Sequence, residues 1–292
     1  CNNLLHNYRL MALNLGIGSI NKLYLGATEI NKAYLGSLLV YGDTGVLLLD
    51  LFPNAHAAYS FRYLKTSFIG SAVVRVRRFK PIEITDGTLT AFTGANDGFI
   101  TTRYDQSGNG KNATQNTLLY QRILVENGVL KVYNGKPCDD YVSGSRAYNV
   151  PNDAYSAPFT YFMVAKPNAN GADVYQASGN NGTSILNNGD ARFYGGNFIL
   201  VSHGLGLNQL VTYALFNGAS SEFQVNDITP ITTGNIGSLT NVSANSFGFA
   251  GYYNSSGQVF TGKFQEMIIY NSNKSTYREG VISNINTEYS IY

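Results

Sequence analysis

The sequence predicts an all-β fold, an antiparallel β-sandwich with a short N-terminal β module and one or two peripheral helices. Short apolar segments recur between turn signals along most of the 292 residues, which is typical of sandwiches with many strands. Charged residues make up 13% of the chain, whereas ordinary soluble domains carry roughly 25%. The chain also contains 31 Gly and 22 Tyr, a composition that suits frequent turns and half-buried strands.

Composition and charge also argue against several kinds of partner. The formal net charge is +2, which is too small to predict binding to nucleic acid or to an anionic membrane. No apolar run approaches the roughly 18 residues that a membrane-spanning helix needs. We therefore expect no nucleic-acid partner and no membrane insertion.

The two cysteines, Cys1 and Cys138, are too few for the framework of disulfides that holds small secreted domains together. We expect Cys138 to be a buried free thiol, with a single Cys1–Cys138 pairing as the alternative. A start at Cys1 indicates processing, trimming or a displaced gene start, and lipidation of Cys1 is a further alternative.

Residues 1–44 are predicted to form a separate β module. The segment Ile20–Gly26 recurs ten residues later as Ile30–Gly36, and apolar and polar residues alternate within each copy as they do in a strand. Two or three such strands are marginally stable alone. We interpret the module as an attachment segment, with an N-terminal hairpin of the main domain as the alternative. The expected attachment residues are Tyr24, Leu25, Tyr34, Leu35 and Tyr41.

Residues 45–292 are predicted to form the sandwich, beginning with a helix. Asn54 is a suitable N-cap for a helix over residues 55–64, whose apolar stripe would contain Ala57, Ala58, Phe61 and Leu64. The next segment, Ala72–Arg78, alternates Val with Arg and predicts a half-buried strand with a basic outer face.

Later segments predict the remaining strands and a C-terminal helix. Asn217-Gly218 is a hairpin-turn signal, and Ser275 or Thr276 is expected to cap the helix. The apolar face of this helix is formed by Val281, Ile282, Ile285 and Tyr289. The strands are predicted at Phe159–Ala165, Arg192–Tyr194, Phe198–Val201, Gln209–Phe216, Ser221–Asn226, Phe247–Ala250 and Phe260–Tyr270.

The most distinctive stretch is Tyr104–Gln115, with the sequence YDQSGNGKNATQ. It resembles the Tyr-Asp-Gln-Ser-Gly-Asn-Gly block of the fungal α-L-arabinofuranosidase B catalytic domain, and related blocks occur in lectin-like domains of bacterial and bacteriophage surface proteins. The likeness extends over residues 46–140, and the later hairpin resembles that of laminin G domains. The resemblance implies a concanavalin A-like (jelly-roll) sandwich and an affinity for glycans.

The N-terminal repeat has a resemblance of its own. Tandem Ile-x-Lys-x-Tyr-x-Gly units followed by Val40-Tyr-Gly42 resemble the N-terminal segments of bacteriophage virion proteins, including tail-fibre and baseplate components. This resemblance implies a place on the virion surface. The partners it implies are other virion proteins and symmetry copies of the chain itself.

The sequence contains little that predicts catalysis. A retaining glycosidase needs two carboxyl groups about 5–5.5 Å apart, and the acidic residues of the sandwich are scattered singly apart from Asp139-Asp140. We assign no catalytic residue and expect no cofactor. Calcium is the open alternative, with Asp97, Asp105 and Asn109 as candidate ligands, although Asp105 also suits a side chain that ties down its own loop.

The leading hypothesis is a structural virion protein that displays a lectin-like domain for adhesion to cell-surface or environmental glycans. A glycoside hydrolase acting on surface polysaccharide and a purely structural capsid or tail decoration protein are the alternatives. The basic face around Arg75 is an ordinary solvated strand face or a contact for an acidic glycan. The candidate glycan-binding residues are Tyr104, Asp105, Asn109, Asn112, Tyr194, Tyr252 and Tyr253.

Overall fold

The chain forms two compact units, Cys1–Leu47 and Leu48–Tyr292. None of the helices described is long and apolar enough to cross a membrane. The computed structural model describes residues 23–25, 28–30, 32–35, 38–42, 47–77, 81–84, 95–140, 148–149, 157–168, 172–176, 183–186, 189–227, 231–237, 248–249 and 260–292.

The part of the N-terminal unit that the structure describes forms two antiparallel strand pairs. Strand β1 (Leu23–Leu25) pairs with β2 (Thr28–Ile30), and β3 (Lys32–Leu35) pairs with β4 (Leu38–Gly42). Each copy of the sequence repeat therefore supplies a strand, as its alternating pattern predicts. The five expected attachment residues lie on β1, β3 and β4, and their role in attachment stays a prediction.

Among its described residues, the second unit contains the helices α1 (Leu48–Leu51) and α2 (Arg278–Tyr289). Each of the segments predicted as a strand after residue 158 contains a strand. In chain order, the strands of this unit are β5 (Ala57–Ser60), β6 (Val74–Arg77), β7 (Pro81–Ile84), β8 (Gly98–Arg103), β9 (Ala113–Thr114), β10 (Ile123–Glu126), β11 (Val129–Leu130), β12 (Val132–Tyr133), β13 (Lys136–Pro137), β14 (Tyr148–Asn149), β15 (Phe159–Pro167), β16 (Ala172–Gln176), β17 (Thr183–Leu186), β18 (Asp190–Tyr194), β19 (Phe198–Ser202), β20 (Leu210–Phe216), β21 (Ser221–Val225), β22 (Thr232–Gly234), β23 (Gly248–Phe249) and β24 (Gly262–Tyr270).

Two antiparallel sheets make up the sandwich. The six-stranded sheet has the order β22-β21-β20-β15-β24-β5. The larger sheet has the order β11-β10-β8-β9-β14-β23-β16-β17-β18-β19, with β6 pairing to β7 and β8 beside this path. The hairpin predicted at Asn217-Gly218 joins β20 to β21 through a 3₁₀ turn at Gly218–Ser220.

The six-stranded sheet is buried on both faces. Along its central strand β15, Tyr161 and Met163 join the core that also contains Phe193 of the larger sheet. The alternate residues Phe162 and Val164 join a second core, which contains residues of α1 and α2. Two buried faces explain why β15 is a nearly continuous apolar run in the sequence. The predicted apolar face of α2 is confirmed, because Val281, Ile282, Ile285 and Tyr289 are all buried in this second core.

The helix predicted over residues 55–64 is wrong. Residues 57–60 form β5, which pairs antiparallel with β24, with Ala57 opposite Ile269. Asn54 does not cap a helix but adopts a left-handed conformation with φ of 66°. Alanine is compatible with either a helix or a strand. Residues 57–60 form a strand because the edge of β24 offers their backbone a ladder of hydrogen bonds.

The start of the C-terminal helix also differs from the prediction. Helix α2 begins at Arg278, after a 3₁₀ turn at Ser275–Tyr277, and its N-cap residue is Tyr277. Neither Ser275 nor Thr276 is therefore its cap. At this N-cap position, the ring of Tyr277 packs against the ring of Phe52, with 5.4 Å between the ring centroids.

A buried ionic cluster joins the two sheets. The Asp139 carboxylate contacts Arg103 at 2.5 Å and Arg122 at 2.8 Å, and all three side chains are almost fully buried. Arg122 also donates to the carbonyl oxygens of Phe260 and Gly262, just before and at the start of β24. The cluster therefore fixes the larger sheet against the start of a strand in the other sheet.

A second ionic cluster holds β5, β24 and α2 together. Glu266 is fully buried and accepts hydrogen bonds from Arg62 at 2.8 and 2.9 Å, from Ser60 at 2.8 Å and from the Tyr289 hydroxyl at 3.0 Å. Burial acts to lower the pKa of Arg62, but the Glu266 carboxylate outweighs this effect and the pKa is raised. Arg62 therefore carries its positive charge at neutral pH.

Cys138 is buried with a free thiol, as predicted. Burial, together with the neighbouring Asp139 carboxylate, raises the pKa of this thiol to about 12. The side chain is therefore protonated at neutral pH, so it acts as a small apolar core residue and not as a nucleophile.

Candidate functional site

Residues 104–112 of the Tyr104–Gln115 segment form a loop between β8 and β9 that is organised around Asp105. One carboxylate oxygen accepts hydrogen bonds from the backbone N–H groups of Ala58 and Ser107, both at 2.9 Å. The other oxygen accepts from the Ser107 hydroxyl at 2.7 Å and from the Lys111 N–H at 3.0 Å. Asp105 is only 4% exposed. Since a carboxylate has about four acceptor positions, all of them are used within the protein.

The same loop covers the outer edge of β5. Gln106 donates its backbone N–H to the Ala58 carbonyl at 2.8 Å, and its side-chain amide donates to the carbonyls of Ser60 and Arg62 at 3.1 and 2.9 Å. The Gln106 side-chain oxygen accepts from the Leu64 N–H at 2.8 Å. A sheet edge otherwise leaves such backbone groups exposed. The loop therefore supplies hydrogen bonds to the edge of β5 that does not pair with β24, and to the residues that follow β5.

Further residues of the loop hold it in shape. Asn109 donates its side-chain amide to the carbonyls of Ala55 and His56 at 2.9 and 3.0 Å, which docks the loop onto the turn before β5. Gly108 and Gly110 have φ of 95° and 69°, where a side chain is strained. The order of residues in this motif is therefore required by its hydrogen bonds and its backbone.

A polar cleft of about 520 Å³ lies where this loop meets several other segments of the sandwich unit. The walls come from α1, from the turn before β5, from the motif loop and from the residues that follow β24. Its size is within the usual range of roughly 300–1,000 Å³ for small-molecule sites. The lining residues are Leu49, Pro53, Asn54, Ala55, His56, Lys65, Ser107, Gly108, Asn109, Asn271 and Ser272.

The lining offers mainly uncharged hydrogen-bonding groups. Asn54, Asn109 and Asn271 are exposed, while His56 and Lys65 are half-buried. The Lys65 ammonium donates to the Ser107 carbonyl at 3.3 Å. Amides, hydroxyls, an imidazole and one ammonium can together donate to and accept from a ligand that carries many hydroxyl groups.

The lining contains no carboxylate among the residues described. The adjacent pair Asp139 and Asp140 is engaged elsewhere, since Asp139 contacts the two buried arginines and Asp140 contacts Lys263. The cleft therefore lacks, in its described lining, the pair of carboxyl groups that a retaining glycosidase uses.

Of the candidate glycan-binding residues that the structure describes, only Asn109 lines the cleft. Asp105 and Asn112 support the loop from inside, with Asn112 accepting from the Asp105 N–H at 3.0 Å. Tyr104 is half-buried and outside the lining, and Tyr194 lies on β18 opposite Phe198 of β19. Tyr252 and Tyr253 lie outside the described residues.

The three candidate calcium ligands are not brought together. Asp97 directly precedes β8 and accepts from the Asn127 N–H at 2.8 Å, whereas Asp105 and Asn109 follow the other end of the same strand. At about 3.3 Å per residue, the strand separates Asp97 from Asp105 by roughly 20 Å or more. No cluster of three or more potential metal-ligating side chains occurs within the described ranges.

Several lining residues were missed from the sequence. The sequence pattern predicts Asn54 to be a helix cap, and it gives no reason to single out His56 or Lys65. The one usable signal was Asn271, which directly follows a strongly apolar strand and so marks a strand end, where binding residues are often found. Nothing in the sequence indicates that this strand end lies beside the turn before β5.

No protein-family model matches the chain, and no curated protein matches it. Among solved structures, it is similar to a GH54 α-L-arabinofuranosidase soaked with a cyclic sulfate inhibitor, with 15% identity and a TM-score of 0.52 over 80% of this chain and 63% of the other. The chain thus spans less than two thirds of that enzyme.

Two further similarities are weaker. Domain 4 of an extracellular GH43 arabinanase from Geobacillus stearothermophilus, in complex with arabinotriose, has 11% identity and a TM-score of 0.41 over 79% of this chain and 98% of that one. A Trypanosoma rangeli sialidase has 13% identity and a TM-score of 0.40 over 64% and 31%. The likeness to the arabinofuranosidase, together with the two antiparallel sheets, confirms the predicted fold class.

Proposed function

We propose that this protein binds glycans, without hydrolysing them, through the cleft beside the Tyr104–Gln115 loop. The observation that carries the proposal is the lining itself, which combines three asparagine amides with a serine pair, an imidazole and an ammonium. Sugar hydroxyls both donate and accept hydrogen bonds, and these groups can satisfy both. The solved arabinofuranosidase of the same fold is named for a sugar substrate, which supports carbohydrate as the ligand class.

Binding is favoured over hydrolysis by the chemistry of the lining. Glycoside hydrolysis uses one carboxyl group as acid and a second as nucleophile or base. The described lining offers neither carboxyl group. Asp105, the acidic residue of the loop, already accepts four hydrogen bonds from the protein itself. A polar cleft whose described lining lacks these carboxyl groups can hold a sugar but does not supply the acid and nucleophile of a glycosidase.

Replacing Asn271 by alanine is expected to weaken glycan binding about five- to tenfold, because one hydrogen bond to the ligand is lost. Thermal stability should stay unchanged, since Asn271 is exposed. The measurement is a glycan array on the intact chain, followed by calorimetric titration of the strongest ligand. Asn116→Ala is the matched control, because Asn116 is exposed outside the cleft lining.

Two results would contradict the proposal. If the folded protein binds no glycan of the array, the ligand class is wrong. If it releases sugar from a bound glycan, the hydrolase alternative replaces simple binding.

We further propose that the chain is displayed on a bacteriophage virion, with residues 1–44 as the attachment segment. The tandem repeat and its likeness to virion N-terminal segments support this, as do the two short strand pairs over residues 23–42. Its partners would then be other virion proteins and symmetry copies of itself. A decoration protein without glycan affinity is the alternative if the array shows no binding.

Deleting residues 1–44 is expected to remove the protein from virions while leaving glycan binding intact, because the cleft belongs entirely to the second unit. Mass spectrometry of purified particles, assembled with the full or the shortened chain, measures incorporation. Cryo-electron microscopy of the same particles locates the segment. Equal incorporation of both chains would rule out attachment through residues 1–44.

A further inference from the structure

Lys65 is the cationic side chain of the cleft, and it has no counter-ion among the described residues. Its ammonium donates to the Ser107 carbonyl at 3.3 Å, and no carboxylate described in this structure lies within ion-pair distance of it. Other lysines do contact a carboxylate. These are Lys131, Lys136 and Lys263.

The backbone around Lys65 is held on both sides. The preceding N–H, of Leu64, donates to the Gln106 side chain at 2.8 Å. The following N–H, of Thr66, donates to the Asp50 carboxylate at 2.9 Å. Lys65 therefore projects from a fixed position, which lowers the entropic cost of using it in binding.

The nearby acidic side chains are turned to other partners. Asp50 accepts from both the N–H and the hydroxyl of Thr66, and neither Asp50 nor Asp105 lines the cleft. With a half-buried ammonium and no negative charge in its described lining, the cleft attracts anions. An ammonium has three donors, and the single long contact to Ser107 leaves donors available to a ligand.

We propose that the cleft selects sugars that carry an anionic group, held by Lys65, while the asparagine amides bind the neighbouring hydroxyls. The anionic group is a carboxylate, as in a uronic acid, or a sulfate ester. This inference rests on the proposed function, since it names the ligand class of the same cleft. Gly108 lies beside the ammonium, because a Cβ atom at this position would be 3.7 Å from Lys65 Nζ, an ordinary van der Waals contact.

The test compares the methyl glycosides of glucose and galactose with their 6-carboxylate and 6-sulfate forms. The intact protein is expected to bind at least one acidic form about tenfold more tightly than its neutral parent, since hydrogen bonds to charged groups are the stronger ones. Raising the salt concentration should weaken only the acidic ligands. Whether the carboxylate or the sulfate is preferred identifies the anionic group.

Lys65→Gln is expected to lower the affinity for the acidic forms to that for their neutral parents, whereas Lys65→Arg should retain the preference. Lys136→Gln is the matched control, because Lys136 is a lysine outside the cleft that pairs with Glu288. Equal binding of acidic and neutral forms, or an unchanged preference in Lys65→Gln, overturns the inference and leaves the proposed function standing. Absence of binding to every glycan of a broad array overturns both.

Discussion

Replacing Asp139 by alanine is expected to destabilise the sandwich by about 3–5 kcal/mol, the usual cost of removing one partner from a buried ion pair. The carboxylate is fully buried and contacts the guanidinium groups of Arg103 and Arg122, which are themselves buried. Without it, two positive charges remain in the interior.

Urea denaturation of the intact protein at neutral pH measures the loss as a lower midpoint at constant slope. Asp190→Ala is the comparison, because it removes a carboxylate that lies 3.5 Å from the half-exposed Arg192, and surface pairs contribute less than about 1 kcal/mol. If Asp139→Ala were no more destabilising than Asp190→Ala, the buried cluster would not be what holds the two sheets in place.

Replacing Asp105 by alanine is expected to cost about 2–4 kcal/mol and to abolish glycan binding as well. Three backbone N–H groups and one hydroxyl lose their common acceptor, and buried donors left unsatisfied are costly. Binding should be lost because the loop supplies Ser107, Gly108 and Asn109 to the cleft. Both effects therefore have one cause, the release of the loop.

The same denaturation experiment and a glycan titration measure the two effects. Asp97→Ala is the matched control, since it removes a carboxylate that accepts a single exposed hydrogen bond, from the Asn127 N–H, at the opposite end of β8. Its cost should be below about 1 kcal/mol, with binding unchanged. Normal glycan binding by a destabilised Asp105→Ala protein would show that the loop does not shape the site.

Much of the fold could be predicted because the signals that specify it are local. Strand β6 alternates buried valines with more exposed arginines, and helix α2 buries the residues that its spacing indicates. In both cases the period of the apolar pattern matches the geometry of the element. The motif loop was recognisable for a similar reason, since its glycines and short polar side chains occur at fixed offsets.

The error over residues 55–64 shows where local signals fail. Spacing favoured a helix, but the four residues of β5 are all buried between two cores and pair with a strand some two hundred positions later. A sequence window contains no information about that strand. The conformation was therefore decided by the partner and not by the intrinsic preference of the alanines.

The sequence by itself thus determined the strands that it predicts after residue 158, most of the C-terminal helix, the motif and the low overall charge. Only the tertiary structure decided the cleft and the position of Lys65 in it. The reason is the pairing of β5 with β24, in which the His56 N–H donates to the Ile269 carbonyl at 2.7 Å. That register brings the turn before β5 beside Asn271 and Ser272, and long-range pairing of this kind leaves no trace in either segment alone.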